Sequence, residues 1–241
     1  CSRTIGSAGS KDLAKRTALD VNVSVTPGVD NATTLTLLAK YPTEEALTAL
    51  IDTHELTADS NELAASESLE DKAELLLTAS YAAGIDLISA DDIANTLTEQ
   101  VKTMFENDPS TRIRLKAIGG GGGKGQRILS CPTQFEGDDK ANLLAAVEQT
   151  VPAFREILSE VKTTGVGDNK NVLAEINIET VRHEEIQVVG NGDWCLTLGG
   201  RDCSVQMNEQ KLLEISVTVE ELQASIDAAL SANKENEAQA L

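Results

Sequence analysis

Aromatic residues are nearly absent from this sequence, which holds three Phe, two Tyr and one Trp among 241 residues. Its core must rest mainly on Leu, Ile, Val and Ala, which pack without ring stacking. A single-stranded nucleic-acid platform, which needs aromatic faces for the bases, is disfavoured. Positive charge is also scarce: 20 Lys and Arg against 39 Asp and Glu give a formal net charge of −19. Such a surface repels a phosphate backbone over most of its area, so an anionic ligand has to be caught locally by placed cations and backbone N–H groups. The acidic excess itself reads as a well-solvated surface, of the kind suited to a salty habitat. The four cysteines, Cys1, Cys131, Cys195 and Cys203, include no C-x-x-C pair and are too few to staple a chain of this length. That argues against a disulfide scaffold or structural zinc site and for a reducing, cytoplasmic setting. No signal peptide and no apolar run near membrane-spanning length is present, and no membrane role is expected.

What is present falls into three stretches. "KDLAKRTALD" (11–20) has apolar residues at helical spacing, and "VNVSVTPG" then alternates like a short strand ending in a Pro-Gly turn. Between about 33 and 106, "PTEEALTALIDTH" opens with Pro and Thr followed by acids. "LEDKAELLLTASYAAG" ends in a glycine C-cap, and "SADDIANTLTEQVKTMF" begins with a Ser N-cap. No catalytic spacing occurs there, and His54, without a Cys or second His nearby, reads as a surface or packing residue. After Asn107 the pattern becomes strand-like. "RIRLKAI" and "QRILSC" flank a glycine run, and one long amphipathic helix is expected from roughly Asp138 to Val161. "NVLAEINIE", "HEEIQVV", "DWCLTLGG", "CSVQM" and "KLLEISV" follow, separated by turns, which indicates an antiparallel sheet. "TVEELQASIDAAL" closes the pattern with a capping box. The first residue is Cys rather than Met and the last stretch is polar and Ala-rich, so both ends read as cut.

The run Gly119, Gly120, Gly121, Gly122 and Gly123 lies between two strands. Glycine adopts backbone angles other residues avoid and lets a ligand approach the main chain, so a strand–glycine loop–strand unit can fold over phosphates. A helix does not follow, which rules out a Walker A loop and a dinucleotide fingerprint. A floppy hairpin connection is the competing reading. Lys116 just before the run, Lys124 within the loop and Arg127 just after it favour phosphate, because they supply fixed positive charge in an acidic protein.

"IRLKAIGGGGGKGQRIL", followed by "RHEEIQVVGNGDWCLTLGGRDCSVQMNEQKLLEIS", resembles the biotin carboxylase branch of the ATP-grasp enzymes, and "IGSAGSKDLAKRTALDVNVSVTPG" resembles the segment that enters the ATP-grasp small lobe. The resemblance covers roughly residues 1–30 and 110–216. The stretch between is similar to an insertion of one subgroup of acyl-CoA carboxylase-like chains. It implies an enzyme that uses MgATP and bicarbonate to make carboxyphosphate and then carboxylates biotin. The implied fold is α+β, a partial ATP-grasp with an antiparallel sheet, a glycine-rich lid hairpin and a helical insertion. Divided accordingly, 1–32 form the entry helix and strand, 33–106 the insertion, 107–216 the small lobe and the start of the large lobe, and 217–241 a final helix and tail.

The resemblance also implies site residues. Lys11 and Lys116 would contact the nucleotide, Lys116 at its phosphates, under a lid of Gly119 to Gly123 with Lys124 and Gly125. Glu175 falls where the adenine amino group is received, His183 and Gln206 at further nucleotide contacts, and Lys211 at a lysine that helps hold bicarbonate. Each has a plainer rival: an outward strand residue for Glu175, a satisfied sheet histidine for His183, solvated strand lysines for Lys116 and Lys211. Cys203 and Trp194 read as core. The sequence departs from the family at Glu209, where a histidine is usual. The acidic magnesium ligands, the Asn-x-Arg segment, the first α/β domain and a biotinylation sequence are missing, so the magnesium ligands are expected outside this chain and the chain alone is expected to be incomplete. Biotin carrier and carboxyltransferase domains or subunits are the implied partners, in an oligomer without nucleic acid. A carbamoyl-phosphate synthetase-type subunit and a non-catalytic assembly module remain alternatives.

Overall fold

The computed structural model describes residues 11–57, 63, 66, 68–118, 124–164, 170–179, 181–207, 210–232 and 234. The chain divides into two compact units, Ser2–Asn177 and Ile178–Leu241.

In the larger unit, α1 (Lys11–Asp20) leads to a two-residue strand β1 (Gly28–Val29), then to α2 (Ala32–Lys40), α3 (Glu44–His54), α4 (Leu69–Ala82) and α5 (Ala90–Asn107). Strands β2 (Ile113–Ala117) and β3 (Gln126–Leu129) follow, then a 3-10 turn (Pro132–Gln134), α6 (Asp139–Glu148), α7 (Thr150–Thr164) and β4 (Val172–Ile176). The helix starts carry the chemistry their sequences suggest. Thr43 and Ser68 accept hydrogen bonds from the backbones of Ala46 and Asp71, and Ser89 forms a full capping box with Asp92. Gly84, at φ 69°, ends α4 in the left-handed conformation that glycine adopts without cost.

The four strands form one antiparallel sheet in the order β1-β4-β2-β3. Alternation along β2 sends Ile113, Leu115 and Ala117 into the core and leaves Arg114 and Lys116 on the other face. Helices α2 to α5 join that core through Leu37, Leu47, Leu76, Ile93, Leu97 and Phe105, and α7 adds Phe154 and Ile157. The expected helical stretch 33–106 thus shares a core with the sheet. Phe105 and Phe154 are fully buried, so truncating either to Ala would cost about 3–5 kcal/mol.

In the larger unit two expected elements are formed differently. The alternating "VNVSVTPG" forms no strand over residues 21–27. Val21 and Val23 are 64% and 55% exposed, so no buried face rewards the alternation, and pairing begins only where Gly28 meets Glu175. The single helix expected from Asp138 to Val161 is two helices, interrupted at Gln149. Pro152 has no N–H to offer the carbonyl of Glu148. The Gln149 side chain meanwhile accepts from the Ser130 amide and donates to the carbonyls of Ser130 and Ala146.

In the smaller unit, β5 (Glu184–Gly190), β6 (Cys195–Asp202) and β9 (Ile215–Val217) make an antiparallel sheet. Strands β7 (Gln206–Met207) and β8 (Gln210–Lys211) pair separately, and α8 (Val219–Ser231) follows, opened by the expected Thr218–Glu221 capping box. Cys203 is buried as expected, whereas Trp194, expected in a core, is 53% exposed in the turn between β5 and β6. Among the described residues, no helix is long and apolar enough to cross a membrane.

Candidate functional site

The face of the larger sheet that carries Lys116 is set by register. In the β2–β4 pair Arg114 stands opposite Glu175 and Lys116 opposite Leu173, which makes Lys116 and Glu175 diagonal neighbours on one face. Their side chains form an ion pair, and the other Glu175 oxygen lies 3.6 Å from Lys15 Nζ. The Glu175 side chain is only 8% exposed. Lys15 also donates to the carbonyl of Thr26 at 2.8 Å and to Asp30 Oδ1 at 2.5 Å.

Lys11, one turn earlier on α1, donates to the carbonyls of Ala117 and Ile118, each at 2.9 Å. Burial, aided by the nearby Lys116 charge, holds the Lys11 ammonium below its ordinary pKa, with Glu175 opposing. The structure therefore brings together three of the expected residues, Lys11, Lys116 and Glu175. It adds two that sequence reading missed, Lys15 and Asp30. Among the described residues, three amines and two carboxylates meet in this cluster. The i, i+4 spacing of Lys11 and Lys15 was the available signal, and Asp30 had none beyond following the Pro-Gly turn.

Close backbone approach makes this arrangement possible. A Cβ on Gly28 would lie 2.1 Å from the Ala174 carbonyl oxygen and 2.6 Å from Glu175 Cα, so only glycine lets β1 lie against β4 here. On the same sheet face Arg114 reaches Asn177 Oδ1 at 2.8 Å and Gln126 Oε1 at 2.9 Å.

At the hairpin, Gly119 to Gly123 lie outside the described residues. Gly125 has φ 69°, its carbonyl accepts from Ala117 N–H at 2.8 Å, and its own N–H donates to Glu160 at 3.1 Å. Lys124 is exposed. Arg127 does not join Lys116. It stands opposite Leu115, on the other face of the sheet, where α7 offers Glu156 at 2.8 Å and Glu160 at 3.0 Å. Arg127 in turn holds the Glu160 carboxyl below its usual range, with help from the Gly125 N–H.

The smaller unit holds the remaining expected residues in a second cluster. Gln206 donates to the Cys203 carbonyl at 2.8 Å and meets His183 Nδ1 at 2.7 Å. The Gln206 amide nitrogen is a donor, so Nδ1 accepts in that contact, and Nε2 of the same ring faces Glu185 at 3.8 Å. Lys211, opposite Gln206 in the β7–β8 pair, forms an ion pair with Glu185 and lies 3.5 Å from Glu214. Arg201 donates to Glu185 and to Glu214, each at 2.8 Å. Lys211, then Arg201 and His183, hold the Glu185 carboxyl below its usual range, and the same pairing raises the Lys211 ammonium. Burial pushes the Cys203 thiol up, which argues against a nucleophilic role. Glu185, Arg201 and Glu214 were missed in the sequence, although all three sit inside the quoted motifs. Glu209 lies outside the described residues. His54, at the end of α3, is half-buried, and among the described residues no group of His, Cys, Asp and Glu side chains is arranged to hold a metal.

Comparison with known proteins gives the chain a family. The chain is 35% identical over 118 residues to a biotin carboxylase of Nostoc sp., an overlap of 48% of this chain and 23% of that one. It is 40% identical over 106 residues to the 2-oxoglutarate carboxylase small subunit of Hydrogenobacter thermophilus, covering 43% of this chain and 19% of the relative. It thus matches about a fifth of the length of these relatives. A solved biotin carboxylase domain of the Hydrogenobacter enzyme, crystallised with MgADP, ADP and bicarbonate, is 30% identical. The overlap is 58% of this chain and 28% of that chain, with a TM-score of 0.36. The sequence pattern of the carbamoyl-phosphate synthase L chain, ATP binding domain, matches residues 71–230, about two thirds of the chain, and the protein belongs to that family.

Proposed function

We propose that this chain is the nucleotide-holding part of a biotin carboxylase, in which MgATP activates bicarbonate by phosphoryl transfer and biotin is the acceptor. The observation that carries the reading is the convergence of Lys11, Lys116 and Glu175 at the end of β2, immediately before the glycine run. Phosphoryl transfer depends on positioning and charge neutralisation more than on covalent help, and three lysine amines gathered on a partly buried sheet face suit a polyphosphate in an otherwise acidic protein. The names of the relatives support biotin carboxylation over other chemistry of the family.

In this reading Lys116, held against Glu175, presents its ammonium to the phosphates, Lys11 steadies the nucleotide from α1, and the adenine amino group is received at Glu175. Gly119 to Gly123, Lys124 and Gly125 form the ATP-grasp lid hairpin. Gly125, left-handed and bonded through its carbonyl to Ala117 N–H, would be the base from which that lid extends. His183 and Gln206 contribute further nucleotide contacts, and Lys211 helps hold bicarbonate. A carrier domain would bring biotin, a carboxyltransferase would use the product, and assembly as an oligomer is part of the proposal.

Calorimetric titration of the chain with MgATP tests the reading. Saturable binding that Lys116→Ala and Glu175→Ala both weaken supports it. Binding indifferent to both substitutions, or no binding, overturns it in favour of a non-catalytic assembly module. Biotin-stimulated ATP hydrolysis by a polypeptide that includes this chain would separate biotin carboxylation from carbamoyl-phosphate synthesis.

A further inference from the structure

Lys15 has no part in the roles assigned above, yet it occupies the middle of the charged cluster. Its side chain is 14% exposed, and its ammonium reaches three oxygens from three places in the chain: the Thr26 carbonyl, Asp30 and Glu175. The two oxygens of Glu175 are divided between two amines, Oε1 with Lys116 and Oε2 with Lys15. A carboxylate held at both ends cannot turn freely about its last bond, so the direction in which it meets Lys116 is fixed from the far side. Asp30, the closer partner at 2.5 Å, keeps Lys15 from collapsing onto Glu175. Gly28 makes the contact possible by letting β1 lie on β4.

We infer that Lys15 is a positioning residue for nucleotide binding: it orients the buried Glu175 carboxylate, and through it sets where the Lys116 ammonium is presented to the phosphates. The inference rests on the nucleotide reading above. It differs from the role of Lys11, whose ammonium is tied to the carbonyls of Ala117 and Ile118. It also explains why two lysines one helical turn apart are both drawn inward in a chain that has only 20 basic residues.

The test is titration of MgATP into the parent chain, Lys15→Met, Lys15→Gln, Lys15→Arg, Glu175→Gln and the Lys15→Met/Glu175→Gln double variant, each checked for its melting temperature. Lys15→Met should weaken binding roughly tenfold, the scale of a lost hydrogen-bonded charge, and Lys15→Arg should restore most of it. Lys15→Met should add little further loss once Glu175 is Gln, because the effect travels through that carboxylate. If Lys15→Met does not fold, Lys15→Gln decides, since it keeps a polar, hydrogen-bonding side chain at this position without the charge. Parent-like affinity in the folded uncharged variants overturns the inference, as does an equal loss in the Glu175→Gln background. Absence of binding by the parent overturns the nucleotide reading and this inference with it, whereas parent binding lost in Lys116→Ala but not in the Lys15 variants overturns the inference alone.

Discussion

Lys116 and Glu175 stand two residues out of register on neighbouring antiparallel strands, and their charged ends meet over the face of the sheet that the core does not use. The pair is nearly closed on the Glu175 side and more open on the Lys116 side, with 8% and 30% exposure. Any anion that meets Lys116 therefore has to share an ammonium that Glu175 already engages.

Removing Lys116 takes away one of the two amines around a buried carboxylate. A fully buried pair loses about 3–5 kcal/mol when one partner is deleted. Because Lys15 stays and Lys116 is partly open to water, Lys116→Met should cost about 2 kcal/mol. Urea unfolding measures this. Lys116→Met/Glu175→Gln should be no less stable than Lys116→Met, since the buried carboxylate that lost one of its amines is gone.

Gly28→Ala should push β1 off β4, because the added Cβ would lie 2.1 Å from a carbonyl oxygen. Thr26 and Asp30 flank β1, so Lys15 loses its anchor as well. The expected result is a stability loss of about 2–3 kcal/mol together with weaker MgATP binding. Gly192→Ala, at φ 101° with nothing near its Cβ position, should lower stability without touching nucleotide affinity.

Gly125→Ala places a side chain at φ 69°, where an L-residue costs about 1–2 kcal/mol. The bond from Ala117 N–H to the residue 125 carbonyl closes this end of the hairpin. Hydrogen exchange at the Ala117 amide should therefore speed up more than exchange within α5.

Tyr81 is pushed up to about 12 by burial first and by Asp86 second, with the Thr33 hydroxyl opposing. A phenol whose folded pKa exceeds its unfolded value of about 10 contributes stability that is fully present below about pH 10 and is lost as pH rises toward 12. In a Tyr41→Phe background Tyr81 is the remaining tyrosine of the two. Its phenolate absorbance should appear near pH 12 in the folded protein, and adding Tyr81→Phe should flatten the alkaline loss of stability.

The helices of residues 44–54, 69–82 and 90–107 were legible because caps and apolar spacing are local properties, fixed by residues within one turn of each other. The hairpin strands around the glycine run were legible for the same reason. The strand expected over 21–27 failed because alternation pays only when a partner and a buried face exist, and neither is a property of that segment. Pro152 carried a break that the amphipathic pattern of residues 138–161 concealed.

Sequence alone determined the helices, the antiparallel pairing, the Lys11, Lys116 and Glu175 candidates, and the resemblance that named the family's chemistry. Tertiary structure decided which charges meet. Arg127, eleven residues from Lys116, faces the opposite side of the sheet, whereas Lys15 and Asp30, remote from Glu175 in sequence, close around it. Cross-strand register and the glycine that permits close approach govern that choice. Both depend on backbones brought together from distant parts of the chain, which no window along the sequence contains.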